Sequence, residues 1–80
     1  MTTSVSCTFS EGLMPKEKIA NIETADGKSE VVSVSSHNIH GNKMVAYLIG
    51  RSGENVLIEL PRESASGRWR IWVKASAIGG

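Results

Sequence analysis

One cysteine, two prolines and four aromatic residues in 80 positions leave this chain few ways to hold itself together or to carry chemistry. The lone Cys7 excludes an intramolecular disulfide. With only His37 and His40 as further soft ligands, there is no four-ligand set for a structural zinc. No apolar run approaches the length of a membrane-crossing helix. The start, Met1-Thr2-Thr3-Ser4-Val5-Ser6, lacks the basic and apolar regions of a signal peptide. These absences, with one unpaired thiol, lead us to expect a cytoplasmic protein with no cofactor and no bound metal. Running from Met1 to Gly79-Gly80, the chain is expected to be a complete small gene product.

Eighty residues make one domain. So short a chain buries only about 60–65% of the surface that its unfolded form exposes, so its core has to be efficient apolar packing, with an oligomer interface as the available supplement. The net charge is +1, but it is unevenly spread. Residues 1–42 balance at −2 and residues 43–80 at +3, and all four arginines lie in the second half. That asymmetry falls well short of the basic footprint of a dedicated nucleic-acid binder.

What the sequence does have is alternation. Gly67-Arg68-Trp69-Arg70-Ile71-Trp72-Val73 holds both tryptophans in seven positions and alternates with the period of a half-buried strand. Trp69, Ile71 and Val73 are expected to point inward, and Arg68, Arg70 and Trp72 outward. Lys18 to Thr24 and Glu30 to Ser35 alternate more weakly around the turn signal Ala25-Asp26-Gly27-Lys28. A two-residue Asp-Gly loop would set Glu23 opposite Glu30 and turn one strand over. A three-residue loop with Gly27 left-handed keeps Ala20 and Ile22 on the face of Val32 and Val34, so it is the one expected. Lys43 to Gly50 is apolar almost throughout, and Asn55 to Leu60 is its expected partner. A two-residue loop at Ser52-Gly53 would set Arg51 beside Glu54, Ile49 beside Val56 and Tyr47 beside Ile58. Met44, Leu48 and Leu57 would then face outward. Residues 1–15 show no period and read as a loosely ordered N-terminal arm preceding a single domain of residues 16–80, with Phe9, Leu13 and Met14 available to tuck against it. Pro61 to Gly67 reads as a connection with one helical turn over Glu63 to Ser66, and the end of the chain as one tight turn that returns Ile78 to the core.

Five short strands, three glycine-marked turns and almost no helical period make an all-β domain. A small, strongly bent sheet that nearly closes on itself limits exposed edges. Hairpin, connector, hairpin, loop, strand and terminal turn resembles the order of a five-stranded SH3-like barrel, and Trp72-Val73-Lys74-Ala75-Ser76-Ala77-Ile78 resembles the last strand and short turn of that class. The acidic-aromatic loop and proline-binding aromatics of signalling SH3 domains are not found, so proline-motif recognition is not carried over. An open OB-like barrel is the alternative. Ile22, Val32, Val34, Tyr47, Ile49, Val56, Ile58, Leu60, Trp69, Ile71 and Val73 form the expected core.

The materials for catalysis are sparse. Cys7 has no flanking cation to lower its pKa. His37 and His40, three apart, resemble half of a metal site but fall in a turn-rich stretch and read as a solvated turn. Gly50-Arg51-Ser52-Gly53 lacks the spacing and the Lys-Ser/Thr of a phosphate-binding loop and reads as a hairpin turn. Glu59 and Glu63 are separated by Pro61, a poor basis for an acid–base pair. The expectation is therefore a non-enzymatic binding module. Arg68, Arg70 and Trp72, with Arg62 and Lys74 at the ends, offer one outward surface. Aromatics and arginines are the commonest anchors of protein interfaces, so a protein partner or a homodimer is favoured. Single-stranded nucleic acid is the alternative, because an indole can stack a base and arginine forks can hold phosphates. The competing structural reading pairs Arg68 and Arg70 with Glu59 or Glu63.

Overall fold

A computed structural model describes residues 1–79 and is all-β. Among the described residues eight strands form, three more than the five expected. They are β1 (Thr2–Ser6), β2 (Thr8–Glu11), β3 (Glu17–Glu23), β4 (Ser29–Ser35), β5 (Ile39–His40), β6 (Lys43–Ser52), β7 (Asn55–Glu59) and β8 (Arg70–Lys74). Short 3-10 turns occupy Ser36–Asn38 and Ala75–Ala77. One sheet runs β1-β6-β7-β8, with β5 also paired to β6; the other runs β2-β3-β4. All named pairings are antiparallel. Neither sheet closes on itself, so a closed SH3-like barrel does not form. Among the described residues no helix is long and apolar enough to cross a membrane.

The largest departure from the sequence reading is the N-terminus. Residues 2–11, expected as a loose arm, supply two strands with a single residue, Cys7, between them. Val5 pairs with Met44 in the first sheet and is fully buried; Phe9 pairs with Ala20 in the second and packs on the core. The arm was illegible because Thr and Ser fill most of its positions, so only two side chains betray its alternation. Leu13 and Met14 do not tuck in; both are exposed in the β2–β3 turn.

The β3–β4 hairpin has the register that its facing demands. Ala20 lies opposite Val32, and the Thr24 N–H donates to the Lys28 carbonyl at 2.9 Å, which closes a three-residue loop. Gly27 takes φ +83°, a conformation that costs other residues a clash with their own Cβ.

The β6–β7 hairpin is shifted. Its two-residue loop is Gly53-Glu54, not Ser52-Gly53, and Ser52 closes it opposite Asn55. Gly53, at φ +60°, stands first in the loop, where a two-residue hairpin turn favours glycine. A bulge then falls between Leu48 and Gly50, leaving Ile49 as the extra residue. The shift of the turn moves the register by two and keeps the facing; the bulge turns the rest of β6 over. Met44 and Ala46 are buried and Leu48 packs against the core, while Tyr47 and Ile49, expected inside, are each 42% exposed. Trp69, also expected inside, is 53% exposed; it precedes the first residue of β8, so strand alternation does not govern it.

The core lies between the sheets: Val5, Met44, Ala46, Val56, Ile58, Ile71 and Val73 from one, and Ala20, Ile22, Val32 and Val34 from the other, with Leu60 after β7. After β8 the 3-10 turn brings Ile78 back to bridge Val5, as the sequence anticipates. Among the described residues no buried side-chain nitrogen or oxygen lacks a hydrogen-bond partner.

The buried and exposed positions predict opposite responses to truncation. Val5→Ala empties part of the shared core and should cost about 2 kcal/mol, a melting-temperature loss of roughly 8–16 °C for a domain of this size. Trp69→Ala should move the transition by only a few degrees. Thermal denaturation followed by circular dichroism checks both, and a larger loss for Trp69→Ala would show that the indole is packed.

Candidate binding face

Strand β8 presents its two faces cleanly. Ile71 and Val73 are buried, while Arg70, Trp72 and Lys74 stand outward. Registry with β7 and β6 extends this outward side into three rows: Tyr47, Glu59 and Arg70; Gly50, Leu57 and Trp72; Ser52, Asn55 and Lys74. Leu57 is half-buried, and Trp72 is 42% exposed, as are Tyr47 and Ile49. Trp72 stays outside as expected, but of Met44, Leu48 and Leu57, the apolar residues of the second hairpin expected outside, only Leu57 does. Tyr47 and Ile49 take the place of Met44 and Leu48.

Beside this face lies an open groove of about 500 Å³. Leu57, Arg70 and Trp72 line one side of it, and Ala25, Asp26 and Lys28 of the β3–β4 turn line the other. That turn is docked: the Ala25 N–H donates to the Trp72 carbonyl at 2.9 Å. The Leu60 N–H donates to the Trp69 carbonyl and the Ala75 N–H to the Glu54 carbonyl, so odd-numbered residues of β8 bond to β7. Residues 70, 72 and 74 therefore turn their backbone groups to the free edge of the sheet, and the hairpin turn occupies the middle of that edge.

The loop before β8 is fastened to the other sheet through Glu30. Its Oε1 accepts the hydroxyls of Ser64 at 2.9 Å and Ser66 at 2.6 Å, and its Oε2 lies 3.6 Å from Arg68 Nε. The buried Ser64 also accepts the Arg68 N–H at 3.1 Å, and the Ala65 N–H donates to the Val31 carbonyl at 2.7 Å. The expected helical turn is replaced by a turn in which the Gly67 N–H donates to the Ser64 carbonyl. The Ser66 hydroxyl above all, with Ser64 and the Arg68 charge, holds the Glu30 carboxyl below its ordinary value against the opposing effect of partial burial.

Of the five sequence-derived site residues, Arg70, Trp72 and Lys74 share the β8 face, and Arg68 joins Arg70 and Trp72 at the groove. Arg62 does not: it reaches Glu17 of β3 at 3.3 Å, and Glu17 also accepts the Ser33 hydroxyl from β4. Arg70 pairs with Glu59 at 3.0 Å, a partner anticipated from sequence, but Arg68 takes Glu30 rather than Glu59 or Glu63. Lys74 and Arg51 make no ion pair among the described residues; both line a second concavity of about 350 Å³ with Glu54 and Ser76. An ion pair as exposed as Arg70–Glu59 is worth about 0–1 kcal/mol.

The remaining chemical candidates stay apart. Cys7 is half-buried, and burial pushes its thiol up to about 11, against a weaker opposing bond with the Met44 backbone, which makes it a poor nucleophile near neutrality. His37 sits in a 3-10 turn and His40 pairs with Lys43, both exposed. Among the described residues no three of His, Cys, Asp and Glu assemble as metal ligands.

The Glu30 anchor makes a pH prediction. Its pKa is lower in the folded chain than in the unfolded one, so its stabilisation is fully present above the ordinary carboxylate value, about 4.3, and is lost as the pH falls through the lowered folded value. Glu30→Gln should lower the melting temperature at pH 7 by roughly 4–12 °C and flatten the acid limb of a stability–pH profile. An unchanged acid limb would remove Glu30 from its role.

Comparison with known proteins adds no relative: no protein-family model, curated protein or solved structure matches this chain.

Proposed function

We propose that this protein is a small non-enzymatic binding module that contacts another protein through the outer face of β6, β7 and β8 and the groove beside it. The observation that supports this reading is the collection of Tyr47, Ile49, Leu57 and Trp72 around one solvent-facing surface, rimmed by Arg68, Arg70 and Lys74. Apolar surface of this kind with a charged rim is the usual composition of a protein interface, and tryptophan, tyrosine and arginine are its commonest anchors. The order of elements, ending in a 3-10 turn that returns Ile78 to β1, supports reading the fold as an SH3-like arrangement left open between β4 and β8.

Single-stranded nucleic acid is the second reading, and Arg51 and Lys74 favour it, since among the described residues neither is ion-paired and Trp72 lies beside Lys74 for base stacking. Against it, Arg62, Arg68 and Arg70 each already face a carboxylate and would have to exchange it for a phosphate. The small net charge of +1 also gives little of the counterion-release term that dominates such affinity.

A photo-crosslinking residue placed at position 72, with a control at Asn21 on the outer face of the other sheet, separates the two readings in cell extract. Discrete adducts at position 72 that protease removes and nuclease leaves intact are expected. Adducts removed by nuclease, or tryptophan quenching by a single-stranded oligonucleotide that weakens steeply with salt and disappears in Trp72→Ala, would overturn the protein reading. Equal labelling at Asn21 would remove the face from consideration.

A further inference from the structure

Asp26 is the only aspartate in the chain, and glycine follows it. The side-chain carbonyl of an aspartate or asparagine can be attacked by the backbone nitrogen of the next residue, which closes a five-membered ring. Asn21, Asn38, Asn42 and Asn55 precede Ile22, Ile39, Lys43 and Val56, whose side chains crowd that nitrogen. Gly27 has no side chain to do so. Asp26 and Gly27 are both exposed in the β3–β4 turn.

Contacts within the turn oppose the attack. Asp26 Oδ1 accepts the Thr24 hydroxyl and, at 3.3 Å, the Lys28 N–H. The Gly27 N–H donates to the Thr24 carbonyl at 3.0 Å, so the attacking nitrogen is engaged as well. Thr24 thus holds both reacting groups, one with its side chain and the other with its backbone. Its hydroxyl first, and the Lys28 N–H second, keep the Asp26 carboxyl below its ordinary value. Ring closure expels a hydroxyl from the protonated acid, the form that these contacts disfavour.

We propose that Asp26-Gly27 is a modification site: it converts to isoaspartate without an enzyme, Thr24 restrains the conversion, and the product releases the β3–β4 turn from β8. In the first step Gly27 N bonds to Asp26 Cγ, the Cγ–OH bond breaks, and the hydroxyl leaves as water with the amide proton. Water then adds to the main-chain carbonyl carbon of the succinimide, and the bond from that carbon to Gly27 N breaks. The mass is unchanged, and water is the only co-reactant. The main chain now runs through Cβ and Cγ and is longer by a methylene, while the former main-chain carbonyl becomes a free carboxylate. The Thr24 N–H bond to the Lys28 carbonyl, at 2.9 Å, closes a tight loop with no slack for that insertion. Ala25, next to the altered residue, loses its bond to the Trp72 carbonyl, and the groove loses the wall that Ala25 and Asp26 supply. This chemistry needs no partner, so it stands or falls apart from the protein-interface reading.

The intact chain is incubated at physiological temperature and neutral pH, beside the same chain unfolded in guanidinium chloride. Isoaspartate is counted by peptide mapping and by methyl transfer from an isoaspartyl methyltransferase. The folded chain should convert at least about tenfold more slowly than the unfolded one, the combined factor of two or three ordinary hydrogen bonds. Thr24→Val, compared under conditions where circular dichroism shows it folded, should convert about two- to tenfold faster than the natural chain, the factor carried by one such bond. Thr24→Ser, which restores the hydroxyl, should return the slow rate. In the chromatographically separated isoaspartyl form, amide exchange at Ala25 should accelerate. Equal rates in the folded and unfolded chains, or a folded Thr24→Val no faster than the natural chain, overturn the restraint. Absence of isoaspartate from the unfolded chain overturns the site, and unchanged exchange at Ala25 overturns the release.

Discussion

Two open sheets share one thin layer of side chains, and the chain crosses directly from one sheet to the other at Cys7, with no intervening loop. Val5 lies in the ladder of the first sheet, and four residues later Phe9 lies in the ladder of the second. This crossing fixes how far apart the sheets sit and how they are rotated, because no slack separates β1 from β2. Small residues accommodate the close approach, with Ala46 and Ala20 fully buried among larger aliphatic neighbours. The same ten residues also cover one side of β6 and one side of β3, strands that would otherwise be edges. In a domain too short to bury a deep core, shape therefore depends on a segment with little apolar content of its own.

What could be read from the sequence depended on whether a strand had two distinguishable faces. The β3–β4 register was legible because a one-residue slip would have put Glu23 against Glu30 and turned Val32 and Val34 to water. Along β8, Ile71 and Val73 alternate with Arg70 and Trp72, and both faces came out as their chemistry suggests. Strand β6 offered no such contrast. With Met44 to Ile49 apolar throughout, either side could have faced the core, and the bulge decided the matter. The N-terminal strands failed for the opposite reason, since Ser and Thr hide a short alternation.

The candidate face shows the same division. Arg70 and Glu59 belong to paired strands, so their contact follows once β7 and β8 are aligned. Glu30 is separated from Ser64 and Ser66 by more than thirty residues, and no pattern in the chain announces that one carboxylate will organise the loop that leads into Trp69. Arg62 illustrates the limit of counting charges along a chain. It lies close in sequence to Arg68 and Arg70 and far from them in attachment, held by Glu17 on the opposite sheet. A cluster of like residues in sequence becomes a surface only where strand registry puts them on one face.

The docking of the β3–β4 turn on β8 gives that turn a second role. By donating to the Trp72 carbonyl, Ala25 breaks the row of open backbone groups that would otherwise invite a foreign strand. This turn is polar and exposed at Asp26 and Gly27, and on composition alone it would be a natural place to graft an epitope or open the chain for circular permutation. Lengthening it would lift Ala25 away and uncover β8, converting a guarded edge into a template for polymerisation.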